Sequence, residues 1–256
     1  MKNLIVIPDI HQDFYFFNYI IEKHKDEDVK FLCLGDYFDP REKGGNYKTN
    51  RFCEYLLEIY NSNLDITFLA GNHDIQYFEV IEKMKITKKK YVNFHVNYKC
   101  SDFSGNRAKK INSIFKNISF FNDLNLFYRH GDFLFSHAGF HPYHVSFASS
   151  VEKCLPLWEY EWFNFKKNIS SKYYNYNRVW NIGACRGGED IYGSPLWLDF
   201  FDEFRNIDGV RQVVGHTSRN EEYRKKEISG NICLDNRGTT YGYVKDDDIE
   251  ILDIYS

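Results

Sequence analysis

The chain has 256 residues and a mass of 30.6 kDa, with 43% apolar and 27% charged residues, which excludes a disordered, collagen-like or linker-like polypeptide and leaves enough bulk for a core. The 33 Lys and Arg against 36 Asp and Glu give a net charge of −3, so no global positive field holds polyanions and any nucleic-acid contact must be local. The apolar run Leu4 to Ile7 stops at Pro8 and Asp9, too short for a signal core or a membrane span, and six scattered cysteines without a CxxC pair suit reduced thiols; a cytoplasmic protein without membrane contact is expected.

In chain order, Leu4 to Ile7 reads as a strand, Phe14 to His24 as a helix and Val29 to Leu34 as a second strand. Phe52, Tyr55, Leu56, Ile59 and Tyr60 recur at helical spacing within 51–61, and Ile66 to Ala70 reads as a third strand. Strand and helix alternating in this way predict βαβ units, a largely parallel sheet and an α/β fold. Asp74 is expected to cap a helix running to about Lys85. The pattern then loosens until Phe133 to Phe135, another buried-type strand. Residues 141–170 read as mostly helical, and 171–195 as a loop rich in Tyr, Asn and Gly, a candidate wall of a site. Short strands return at Val210 to Val214, Ile232 to Leu234, Tyr241 to Lys245 and Ile249 to Ile254. With no repeat and no Pro/Ser-rich linker, one domain over 1–256 is expected.

Five of the apolar runs end in groups able to bind a hard or borderline metal: Asp9 and His11, Asp36, Asn72 and His73, His137, and His216. Singly, each is a turn former or an ordinary histidine. Together they are oxygen and imidazole donors without Cys, and the carboxyl ends of strands in α/β sheets gather into one crevice, which predicts a shared metal site.

The segments PDIHQ (8–12), GDYFDP (35–40), GNHD (71–74), SHAG (136–139) and VGHT (214–217) together resemble the calcineurin-like metallophosphoesterases. The pattern is most similar to their phosphoprotein phosphatase and diadenosine tetraphosphatase branch. That resemblance implies a four-layer αββα sandwich, two mixed sheets between helices, with two divalent metal ions at the strand ends. Asp9 and His11 would hold the first ion, Asp36 would bridge both, and Asn72, His137 and His216 would complete the second. Two dications about 3.5 to 4 Å apart repel, and a shared carboxylate with a shared hydroxide offsets this while supplying a nucleophile for attack on phosphorus. The resemblance assigns His73 to protonating the leaving oxygen and Asp39 to orienting its ring. Mn²⁺ is the expected activator, with Fe and Zn also chemically suitable.

The chain departs from that pattern at the phosphate clamp. The family's Arg after the second Asp of GDxxDRG is Pro40 here, with Arg41 one place on, and Pro8 and Gln12 replace glycines flanking the first DxH. Arg186, in the Gly-rich CRGGED, is the first candidate for gripping phosphate, with Arg41, Arg178 and Asn72 beside it. One His after Gly215, rather than GHxH, favours the phosphatase branch over nucleases and phosphodiesterases. The expected activity is hydrolysis of phosphate monoesters, on phosphoprotein or small phosphorylated substrates. The alternatives are a dinucleoside polyphosphate hydrolase, a nucleic-acid phosphodiesterase, or a catalytically silent module binding nucleic acid. The last rests on 83–116, an insertion with ten Lys and Arg, one acid and interleaved aromatics, whose bland reading is a solvated surface.

Overall fold

The computed structural model describes residues 2–41, 49–87, 100, 102–170, 178–218 and 227–255. Among the described residues, ten strands lie in two mixed sheets. The first has the order β10-β9-β1-β2-β3, from Asn3–Ile7 (β1), Val29–Cys33 (β2), Ile66–Phe68 (β3), Thr240–Lys245 (β9) and Asp248–Asp253 (β10). The second has the order β4-β5-β6-β8-β7, from Phe127–His130 (β4), Phe133–Ser136 (β5), Arg211–Val214 (β6), Glu227–Ile228 (β7) and Asn231–Cys233 (β8). β1, β2 and β3 run parallel to one another, as do β5, β6 and β8; the remaining pairings are antiparallel.

Side-chain alternation along the strands builds the layers. Leu4 and Val6 of β1, with Leu32 of β2, pack against Phe133 and Phe135 of β5, Val213 of β6 and Ile232 of β8, which forms the core between the two sheets. Ile5, Ile7, Phe31 and Cys33 point the other way, into a larger cluster with Phe16, Phe17 and Ile20 of Phe14–His24 (α1) and Phe52, Leu56 and Ile59 of Thr49–Tyr60 (α2). Leu134 likewise leaves the intersheet core and joins the cluster holding Trp158 and Trp162 of the helix Val151–Asn168. Strands buried on both faces read as continuous apolar runs, which is why they were legible in the sequence.

Asn72–Thr87 (α3) starts two residues before Asp74, so Asp74 sits in the first turn and not before it. It does accept the Gly71 N–H at 2.9 Å, but the same buried carboxylate also takes the N–H groups of Asp36 and Tyr37, both at 2.8 Å. It ties two chain turns together. Gly105–Phe115 (α4), unforeseen in the basic segment, is capped by the Ser104 hydroxyl and buries Arg107, Ala108, Ile111 and Phe115. Lys88, Lys89, Lys90 and Lys99 of that segment lie outside the described residues, as do 171–177 of the expected loop. Lys83 and Lys85 pair with Glu79 and Glu82. No helix among the described residues is long and apolar enough to cross a membrane.

Candidate active site

All the expected ligands, and the expected acid His73, stand just past the carboxyl ends of parallel strands: Asp9 and His11 after β1, Asp36 after β2, Asn72 and His73 after β3, His137 after β5, His216 after β6. His11, Asp36 and His216 have positive φ (49°, 55° and 64°), a left-handed conformation that side chains adopt at a cost of about 1 kcal/mol or more. The turns that close each strand end are bent to aim these groups inward.

The two sheets meet there. The His216 N–H donates to both carboxylate oxygens of Asp9, at 2.9 and 3.1 Å, and the His73 N–H donates to Asp36 Oδ1 at 3.0 Å. Two glycines permit this approach: a Cβ on Gly215 would lie 2.0 Å from Asp9 Oδ1, and one on Gly71 would lie 2.1 Å from Asp36 Oδ1. Asp36 Oδ2 is 3.5 Å from His11 Nε2 and 3.6 Å from His137 Nε2. His137 Nε2, His216 Nδ1 and Asn72 Oδ1 stand 2.9 to 3.2 Å apart.

These residues suit cations. His137 Nδ1 donates to Leu34 O at 3.0 Å and His11 Nδ1 to Asp39 O at 2.8 Å, so in both rings the Nε2 lone pair faces the carboxylates, the usual outer-shell arrangement of metal-bound imidazoles. Burial keeps all three rings neutral. It holds His137 below the usual range, and holds His11 and His216 well below it, with Arg41 adding to the effect at His11 and Arg186 at His216. Burial also pushes Asp9 up to about 7, with Asp235 adding to it, and Asp36 up to about 6. Two buried carboxylates short of positive charge, facing imidazole lone pairs, are what divalent ions would satisfy; one oxygen or nitrogen from each of Asp9, Asp36 and His137 lies within 4.8 Å of the others.

His73 Nδ1 lies 2.7 Å from Asp39 Oδ2. Burial works against a charged ring there, but the Asp36 charge and the Asp39 hydrogen bond outweigh it and raise His73 to about 9. Arg186 stands beside His216, with Nη2 3.0 Å from Thr217 Oγ1 and 2.9 Å from Asp199. Arg41 folds back instead: its Nη2 donates to Asp235 Oδ1 at 2.6 Å and to Asp9 O at 2.8 Å. Arg178 pairs with Glu161 at 2.9 Å and lies over Trp158, away from the ligands. Gln12 takes a left-handed turn (φ 59°), and its amide donates to Phe38 O.

Sequence reasoning missed Asp235, Tyr77 and Arg107, and took Asp74 only as a helix cap. Asp235 follows a strand, β8, and the rule that found the ligands would have found it too. Tyr77 and Arg107 carry no local signal.

The family model for calcineurin-like phosphoesterases matches residues 2–220. A mutant of a cold-active protein tyrosine phosphatase superposes with a TM-score of 0.58 at 15% identity, over 99% of this chain and 78% of that one. The cold-active protein-tyrosine phosphatase of a psychrophilic Shewanella gives 0.57 at 14% identity, over 99% and 78%. Likeness at such identity shows a shared fold. No curated protein matches the chain. With a match over most of its length, motifs at the ends of the parallel strands and two mixed sheets between helices, the chain belongs to the calcineurin-like phosphoesterase family and is a metal-binding hydrolase of phosphoester bonds.

Proposed function

We propose that the protein is a phosphomonoesterase that uses two divalent ions, with Mn²⁺ as the activator in vitro. The observation that carries this reading is the convergence of Asp9, His11, Asp36, Asn72, His137 and His216, with the His73–Asp39 pair beside them. When bound, the ions would acidify a water for in-line attack and neutralise phosphoryl charge. Asp9 and His11 would hold one ion, Asn72, His137 and His216 the other, and Asp36 would serve both.

His73 donates the proton to the departing oxygen. Its Nδ1 is committed to Asp39, which leaves Nε2 as the donor, and the Asp39 carboxylate favours the protonated ring. Arg186 offers the remaining face of its guanidinium to phosphate oxygens, steadied by Thr217 and Asp199. Arg41 acts on the site through Asp9, because its fork is already closed on Asp235. The whole chain would then act as one catalytic domain.

The test compares Mn²⁺-dependent turnover of p-nitrophenyl phosphate, its bis ester, a phosphopeptide and diadenosine tetraphosphate. Monoester and phosphopeptide turnover is expected to exceed the other two. Cleavage confined to the bis ester or to diadenosine tetraphosphate would replace the monoesterase reading with one of the alternatives.

A further inference from the structure

Asp39 is fully buried, and its two carboxylate oxygens have different partners. Oδ2 takes His73 Nδ1 at 2.7 Å. Oδ1 accepts from the Tyr77 hydroxyl and from Arg107 Nη1. The same Arg107 nitrogen lies 2.8 Å from both the Tyr77 hydroxyl and Asp102 O, which share its second N–H, and the Ser104 N–H reaches the Tyr77 hydroxyl at 3.3 Å. Tyr77 is fixed in turn by stacking on Phe103, with ring centres 5.0 Å apart.

The physical consequence concerns rotation. An aspartate carboxylate turns in a broad, two-fold torsional well, so one held only through a histidine is free to tilt the ring with it. A buried guanidinium and a phenol on the opposite oxygen remove that freedom. Arg107 leaves the first turn of α4, whose Ser104 cap accepts the Arg107 N–H at 3.4 Å, so the constraint on the His73 ring originates in the basic segment. Arg107 is 4% exposed, which withdraws it from any surface role in binding polyanions.

We propose that Arg107, assisted by Tyr77, is a positioning residue that holds Asp39 and thereby aims the His73 proton at the leaving oxygen. The inference rests on the phosphomonoesterase reading and on His73 as the acid. A misaimed acid penalises poor leaving groups far more than good ones, because a phenolate needs the proton in the transition state and a nitrophenolate hardly does.

The experiment measures kcat and KM of the Mn²⁺-loaded enzyme on phenyl phosphate and p-nitrophenyl phosphate, for wild type, Arg107→Met, Arg107→Lys and Tyr77→Phe. For Arg107→Met, kcat on phenyl phosphate should fall on the order of tenfold more than on p-nitrophenyl phosphate, with KM unchanged. Arg107→Lys should recover part of the difference, and Tyr77→Phe should show it in weaker form; these two carry the test if Arg107→Met does not fold. The downfield imidazole proton of the His73–Asp39 hydrogen bond should broaden or vanish in Arg107→Met. Equal losses on both esters in every folded variant, or no loss, would overturn the inference while wild-type turnover upholds the monoesterase reading. A wild type inactive on both esters would refute that reading and this inference with it.

Discussion

Asp36 is the residue on which both groups of proposed ligands depend, since its Oδ2 faces His11 Nε2 and His137 Nε2 together, while the His73 N–H holds Oδ1. Replacing it with Asn keeps the shape and removes the charge. The amide puts an N–H₂ donor where an anionic oxygen faced two imidazole lone pairs, so in the metal-free fold it can donate to those rings, but on that edge it offers a cation no lone pair. Asp36→Asn is therefore expected to lower Mn²⁺ affinity by at least about 100-fold in titration calorimetry, the upper end of what outer-shell changes cause. The apo protein should be as stable as wild type or more so, because burial penalises the Asp36 charge. An unchanged affinity would remove Asp36 from the ligand set.

The five strand ends work as a unit only because chain segments approach more closely than side chains normally allow. Gly215, between β6 and His216, passes so near Asp9 that any Cβ must displace the carboxylate, its nearest contact lying at 2.0 Å. Gly215→Ala should weaken Mn²⁺ binding by about 10- to 100-fold, as other outer-shell disturbances do. Gly105→Ala, at the start of α4 with nothing within 4 Å of the new Cβ, should leave binding unchanged and serves as the control. Elements of this kind differ in how much of them the sequence carries. β1, β2 and β5 were legible because both faces are buried, and the groups after them were legible because strand ends in parallel sheets converge. β4 was not: Phe127 to His130 are all half-buried and partly polar, on a sheet edge where no alternation is imposed. α4 was masked by its charges, although Ala108, Ile111 and Phe115 do fall on one face. Arg107 reaches Asp39 across 68 positions, and Arg41 reaches Asp235 across 194, contacts that only the packed chain creates.

For the molecule as a whole, the site is a liability until it is filled, and pH sets how large a liability. Asp9 and Asp36 have folded pKa values raised above the ordinary 3.8, so the folded state binds their protons more tightly than the unfolded chain does. Their favourable contribution is complete below about pH 4 and is lost as pH rises through about 6 and 7. His11, His137 and His216 act in the opposite sense: held neutral by burial, they lose stability as pH falls below the ordinary 6.5. A divalent ion needs the carboxylates ionised and the imidazoles neutral, which is the state the metal-free fold tolerates at pH 8 and resists at pH 5. Saturating Mn²⁺ at about 100 times its Kd adds roughly 2.7 kcal/mol. In a chain of this size that is a rise in Tm of about 5 to 10 °C at pH 8, followed by scanning calorimetry. At pH 5 the same Mn²⁺ concentration should raise Tm by less than half as much. Titrations in buffers of different ionisation enthalpy should then show roughly two protons released per chain at pH 5 and close to none at pH 8. A shift in Tm that is the same at both pH values, with no proton release at either, would mean that Asp9 and Asp36 do not give up protons to a metal, and the cation site would have to be built from other residues.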